Sequence, residues 1–124
     1  MTTEILDDDY DRRFTGIDRL YGTDTFALYQ QAHVLLAGAG GVGSWAIEAL
    51  ARTGIGHLTL IDMDVLVASN VNRQLPAISE TFGRGKIDVL AERAYGINPR
   101  LKIPLIDDFL TRCNIADLMA DTPD

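Results

Sequence analysis

Four glycines in one short stretch, Gly38, Gly40, Gly41 and Gly43, are followed by an acid at Asp62, then by Ser69, Asn70, Asn72, Arg73 and Gln74, and finally by Lys86. Glycines let a backbone turn tightly and bring its amides close to an anion, and a helix starting there presents its positive end to phosphate. Asp62 follows the last of those glycines by 62 − 43 = 19 positions, the interval at which an acid accepts hydrogen bonds from ribose hydroxyls. That role serves NAD and ATP alike, so Asp62 does not choose between them. Arg73 and Lys86 favour ATP, because two cations can neutralise a triphosphate and steady a departing pyrophosphate, which hydride transfer does not need. By composition alone both cations read more readily as exposed loop charges.

Those residues need a frame. His33–Ala37 is an apolar run stopped by glycines, which predicts a strand buried on both faces of a parallel sheet. Trp45, Ala46, Ala49 and Leu50 recur at helical spacing, predicting a helix over 44–53 that Gly54 ends, with Trp45 in the core. Residues 57–62 alternate and stop at Asp62, a second strand with the acid at its carboxyl end. Residues 63–85 have little periodicity and contain Pro76, Gly83 and Gly85, and so long a loop in a compact domain tends to be functional. Helical spacing returns over 86–95. A third strand within LKIPLIDDFL is confined to an edge by Pro104, and Asn114 reads as the N-cap of a last short helix.

This alternation predicts an α/β fold, half of a Rossmann-like doubly wound, mainly parallel sheet. Its first two strand-end loops share one edge, so the turn at 38–43 and Asp62 are expected to face one crevice. Ahead of it, residues 10–32 predict a short helical arm, either a solvated lead-in or a functional arm, and residues 1–9 predict a frayed end. The chain therefore divides into an N-terminal arm over 1–32 and a nucleotide-binding unit over 33–124.

At 124 residues the chain is one domain's worth of sequence, and short for a complete doubly wound enzyme. Its net charge of −7 works against broad attachment to nucleic acid or anionic membrane. Cys113 is the only cysteine, which excludes an intrachain disulfide and a cysteine-based zinc site within these residues. No apolar run approaches the roughly 18 residues of a membrane span, and no basic lead suggests a secretory signal, so the chain reads as cytoplasmic. Cys113 reads as packing, Asp107 and Asp108 as a solvated strand end, and His33 and His57, at predicted strand starts, as structural.

GAGGVG at 38–43, LIDMDVLVASNVNRQ at 60–74 and GRGKIDVLAER at 83–93 together resemble the adenylating domain shared by the ubiquitin-activating enzymes and the bacterial molybdopterin- and thiamine-pathway adenylyltransferases. The resemblance runs from about Arg12 to the end of the chain. It implies that residues 33–124 are the N-terminal part of that domain and that Gly41, Asp62, Ser69, Asn70, Arg73 and Lys86 bind ATP. RRFTGIDRLYG at 12–22, SWAIEALARTGIG at 44–56 and INPRLKI at 97–103 are similar to the tRNA threonylcarbamoyladenosine dehydratase branch. That branch adenylates the carboxylate of a modified adenosine in tRNA, and loss of water then closes it into a ring.

The resemblance further implies a homodimer, a magnesium ion whose aspartate follows a fourth strand beyond Asp124, and a 124-residue segment inactive by itself. Within the family, the alternative is an adenylyltransferase for a ubiquitin-like sulfur-carrier protein. From other functional classes come an NAD-dependent oxidoreductase and a non-catalytic partner subunit that keeps the fold without turnover. Some relatives begin with an Arg-x-x-Arg arm that reaches the partner subunit's nucleotide; aligning Arg13 with the first arginine puts Gly16 at the second, which leaves Arg12 and Arg19 as substitutes. A tRNA partner calls for basic surface, expected either from Arg12, Arg13, Arg19 and Arg84 together or from outside these residues.

Overall fold

The structure is a computed structural model that describes residues 3–120 and 123–124. Helix α1 (Thr3–Tyr21) and helix α2 (Thr25–Gln31) precede strand β1 (His33–Ala37), helix α3 (Gly43–Thr53) and strand β2 (His57–Ile61). Two 3-10 turns, Ala68–Asn70 and Ser79–Thr81, interrupt the long loop before helix α4 (Lys86–Ile97), strand β3 (Leu105–Ile106) and helix α5 (Ile115–Met119). The three strands are parallel in the order β1-β2-β3.

One face of the sheet carries the core. Ile47 and Ala51 of α3 and Ile87, Leu90, Ala91 and Ala94 of α4 pack with Leu58 and Leu60 of β2, giving one cluster from the two crossover helices and the central strand. The inward stripe of α3 is Ser44, Ile47 and Ala51, one position out of phase with the expected one. Trp45 is 53% exposed, contrary to the expectation that it lies in the core. Its small neighbours Ala46 and Ala49 leave the phase ambiguous, and Ile47 settles it by joining Leu58 in the core cluster.

β2 is buried from Leu58 through Ile61, as a central strand should be. β1, by contrast, is only half-buried over Val34–Leu36 and exposed at Ala37, so the expected double-faced burial does not hold: among the described residues β2 is its one strand neighbour, and Asp124 adds hydrogen bonds to the backbone of His33 alone. Pro104 acts as expected. Its carbonyl accepts from Leu60 N at 3.0 Å, but it offers no donor, so the ladder breaks between a bridge at Lys102 and the two residues of β3 at the sheet's edge. His33 and His57 stack at 3.6 Å between ring centroids at the strand starts, and His33 Nε2 shares a 2.7 Å hydrogen bond with Thr59 Oγ1. Both are structural there.

The N-terminal segment is more built than a lead-in. Tyr10 and Phe14 are buried, and Phe14 stacks on Phe26 of α2 at 4.7 Å. The guanidinium of Arg100 lies 3.9 Å over the Tyr10 ring. The expectation of a frayed stretch over 1–9 is corrected from Thr3 onward, where the chain is helical; a helix nucleated by the packed Tyr10 turn propagates backward at little cost. Residues 1–2 lie outside the described residues.

Candidate functional site

The register of β1 and β2 creates the site. Ala37 pairs with Ile61, so Gly38 and Asp62 leave the sheet side by side. Gly38 N donates to Ile61 O at 2.9 Å, and Gly38 has φ 96°, the left-handed region that glycine enters without strain. A Cβ on Gly43 would collide with the Gly38 carbonyl oxygen, so this turn closes only on glycine. Ser44 N donates to Gly40 O at 3.0 Å as α3 begins. Gly38, Gly40, Gly41 and Gly43 thus wrap the positive end of an 11-residue helix.

Asp62 ties the turn to the sheet. Its Oδ2 accepts from Ala39 N at 2.7 Å and its Oδ1 from Asp64 N at 2.8 Å. Each carboxylate oxygen keeps acceptor capacity for a further donor such as a ribose hydroxyl.

Arg73 lies along Gly41, where a Cβ on the glycine would sit 3.6 Å from Arg73 Cδ. The loop that carries it is pinned to the first turn of α3: Trp45 Nε1 donates to Arg73 O at 2.9 Å and Leu75 N to Ser44 Oγ at 3.3 Å. The guanidinium folds back on its own loop, giving 3.0 Å hydrogen bonds from one nitrogen to Ser69 O and Asn72 Oδ1. Ser69 is exposed, whereas Asn70 is buried and its Oδ1 accepts from Val67 N at 2.9 Å, closing the 3-10 turn. Sequence alone does not separate these neighbouring polar residues; the backbone turn does.

Lys86 is only 7% exposed and is the first residue of α4. Helix dipole and burial both disfavour a cation there, and its one ion-pair partner among the described residues, Asp64 Oδ2, is 3.8 Å from Nζ and largely solvated. A cation held so poorly by its own protein is suited to an anionic ligand.

Two cavities flank Asp62. One of about 420 Å³ is lined by Asp62, Asp64, Asp88 and Asp107 with Val65 and Leu105; neither Arg73 nor Lys86 lines it. Four carboxylates repel phosphate and accept from hydroxyl and amino donors, so this side suits a nucleoside and the Gly41–Arg73 side suits its phosphates. The other, about 330 Å³, has Gly38, Asp108, Phe109 and Leu110 in its wall. Asp107 and Asp108, which read from the sequence as a solvated strand end, line these two cavities, because strand-end loops of a parallel sheet gather on one edge. Among the described residues no group of three or more His, Cys, Asp or Glu is placed to hold a metal.

Of the basic residues considered for one patch, Arg13 and Arg84 sit toward opposite ends of α4. Arg13 pairs with Asp9 at 2.7 Å and donates to Ile97 O at 3.1 Å, which ties α1 to the end of α4. Arg84 instead pairs with Glu92 along α4, a contact that holds the Glu92 carboxyl below the ordinary glutamate range and raises the guanidinium's pKa. Their own acids claimed them. Asn114 occupies the expected N-cap position of α5, but its Oδ1 turns back to Thr111 N at 2.8 Å and makes no cap bond to the helix. Cys113 is exposed, not packed, because α5 buries none of its residues.

The sequence pattern of the ThiF family matches residues 10–124. The chain belongs to the ThiF family. Among individual relatives of this ThiF-family chain, the tRNA threonylcarbamoyladenosine dehydratase of Haemophilus influenzae is 53% identical over 112 residues, covering 90% of this chain and 43% of that protein. The Escherichia coli enzyme of the same name is 47% identical over 116 residues, covering 94% of this chain and 43% of that one. A solved structure of the E. coli enzyme in complex with ATP matches with a TM-score of 0.91 over 94% of this chain and 48% of that one. The molybdopterin-synthase adenylyltransferase of E. coli is 34% identical over 92 residues, covering 74% of this chain and 37% of that protein. The chain spans less than half the length of the curated relatives it matches. Its parallel α/β architecture is the Rossmann-like fold of that adenylation domain.

Proposed function

We propose that the whole protein activates a carboxylate by transferring AMP to it from ATP, and that its substrate is threonylcarbamoyladenosine in tRNA, which it dehydrates to a ring. The reading rests on the ThiF family, on the identity to the dehydratases, and above all on Arg73 lying along Gly41 at the start of α3.

A carboxylate oxygen attacks the alpha-phosphorus of ATP and pyrophosphate leaves with the bonding electron pair. The amides of Gly38, Gly40, Gly41 and Gly43 hold phosphate oxygens, Asp62 accepts from the ribose hydroxyls, and Ser69 and Asn70 shape the phosphate side. Arg73 and Lys86 are the catalytic residues. They take up the negative charge that spreads in the transition state and on the leaving group. A nucleophile within the same side chain then displaces AMP from the acyl carbon; AMP carries away the carboxylate oxygen, so the net change is loss of water. Magnesium on the triphosphate would balance its charge and would take its aspartate from outside these residues.

A homodimer working in the cytoplasm completes the proposal. No helix among the described residues is long and apolar enough to cross a membrane. The test is pyrophosphate release by the full-length protein. Release that depends on threonylcarbamoyladenosine-bearing tRNA supports the reading; release that depends on a ubiquitin-like sulfur-carrier protein instead assigns the chain beside the molybdopterin-synthase adenylyltransferase. NADH bound in preference to ATP, or no turnover with either partner, overturns the adenylation reading.

A further inference from the structure

Gln74 is a neutral side chain that neither the fold nor the proposed chemistry above has used. It is 94% buried by its 6% exposure, and its Oε1 has no hydrogen-bond partner among the described residues. No described group accepts a hydrogen bond from its Nε2. That nitrogen sits beside the glycine turn, 3.7 Å from where a Cβ on Gly40 would stand. The orphaned oxygen is an acceptor that phosphate does not satisfy; the end that bears on an anion is the nitrogen, a donor beside Gly40.

The surrounding bonds hold the amide at the turn. Trp45 Nε1 bonds the carbonyl of Arg73, and Ser44 Oγ bonds the amide of Leu75, so consecutive residues in the first turn of α3 clamp the two residues on either side of Gln74. Gln74 N itself donates to Asn70 O at 2.9 Å. The backbone at 73–75 is therefore fixed relative to Gly40 before any ligand arrives. What the clamp presents beside the turn is an amide nitrogen with two protons, a donor for an anion.

We propose that Gln74 is a phosphate-binding residue: its Nε2 donates a hydrogen bond to the polyphosphate of the nucleotide at the glycine turn, alongside the turn's own amides. This rests on the adenylation reading and adds to it a side-chain donor beside Gly40, from a residue that does not line the cavity of the four aspartates. A charged cation there would hold the pyrophosphate product too. A neutral donor orients the chain of phosphates and lets it go.

The experiment measures binding of ATP, pyrophosphate and adenosine to the full-length protein and to its Gln74→Met and Gln74→Glu variants. Met keeps the shape without the donor; Glu places a charge that repels phosphate. The expected result is about tenfold weaker ATP for Q74M, the loss of one hydrogen bond to a charged acceptor, a larger loss for Q74E, parallel losses for pyrophosphate, and unchanged adenosine. Equal losses for ATP and adenosine would mark Gln74 as a packing residue and overturn the proposal, as would wild-type affinity in Q74M. If either variant fails to fold, the assigned Gln74 side-chain amide signals of the wild-type protein decide: they must shift with pyrophosphate and not with adenosine, and unmoved signals refute the contact. A wild-type protein that binds no ATP overturns the adenylation reading and this proposal with it, whereas wild-type binding with an indifferent Gln74 overturns this proposal alone.

Discussion

Trp45 Nε1 donates to the carbonyl of Arg73 at 2.9 Å, so the helix that begins at the glycine turn also fixes the loop that supplies a cation to it. Trp45→Phe keeps the ring and removes the bond. It is expected to cost about 1 kcal/mol of stability and to weaken ATP several-fold, with adenosine affected less, measured by thermal unfolding and calorimetric titration. Trp45 is the only tryptophan within these 124 residues, and its contribution to the fluorescence, read as the difference from the Trp45→Phe variant, should also change when ATP binds. An emission spectrum indifferent to saturating ATP would show that the Arg73 loop takes no part.

Lys86 is expected to trade stability for activity. Lys86→Met removes a buried cation from a helix start and keeps its apolar stem, so stability should stay level or rise by about 1 kcal/mol. Pyrophosphate release should fall at least 100-fold, roughly the loss seen when one stabilising contact to a transition-state charge is removed. Denaturant unfolding beside a turnover assay tests both halves. A strongly destabilised K86M protein would instead make Lys86 structural.

Gly43→Ala places a methyl group against the Gly38 carbonyl and can be accommodated only by opening the turn. A destabilisation of about 2–4 kcal/mol is expected, with loss of ATP binding in whatever remains folded. Gly83→Ala, where no atom lies within 4 Å but φ is 88°, should cost about 1 kcal/mol and leave ATP affinity unchanged. Comparing the two variants by calorimetry separates backbone strain from closure of the site.

Phe14 is 1% exposed and stacks on Phe26, so Phe14→Ala should destabilise by about 3–5 kcal/mol. Chemical denaturation of the full-length protein tests it. A wild-type midpoint would mean that α1 can be removed without cost to the domain.

Glu92 titrates below its ordinary value because Arg84 hydrogen-bonds its charged form. A folded-state pKa that is depressed stabilises above the unfolded pKa, and that gain fades as pH falls through the folded one. The window is therefore acidic, below the ordinary value of 4.5. Both partners are exposed, so the effect is small: Glu92→Gln should leave the Tm at pH 7 nearly unchanged and slightly flatten its decline in acid. NMR titration should find the Glu92 midpoint below that of a free glutamate; a midpoint at or above it removes the pairing.

Spacing by itself determined the order of strand, glycine turn, helix, strand and acid, because glycine placement and side-chain periodicity are local properties. The end of α3 before Gly54, the start of α4 at Lys86 and the edge place of β3 behind Pro104 were legible for the same reason. Only the tertiary structure decided which face each residue took and which partner each charge found. Ile47, not Trp45, joined the core. Arg13 and Arg84 went to Asp9 and Glu92 instead of to one basic patch, and Lys86 came within reach of Asp64 although 22 positions separate them. Contacts of that kind depend on the register that sets Ala37 opposite Ile61, which a linear pattern does not encode.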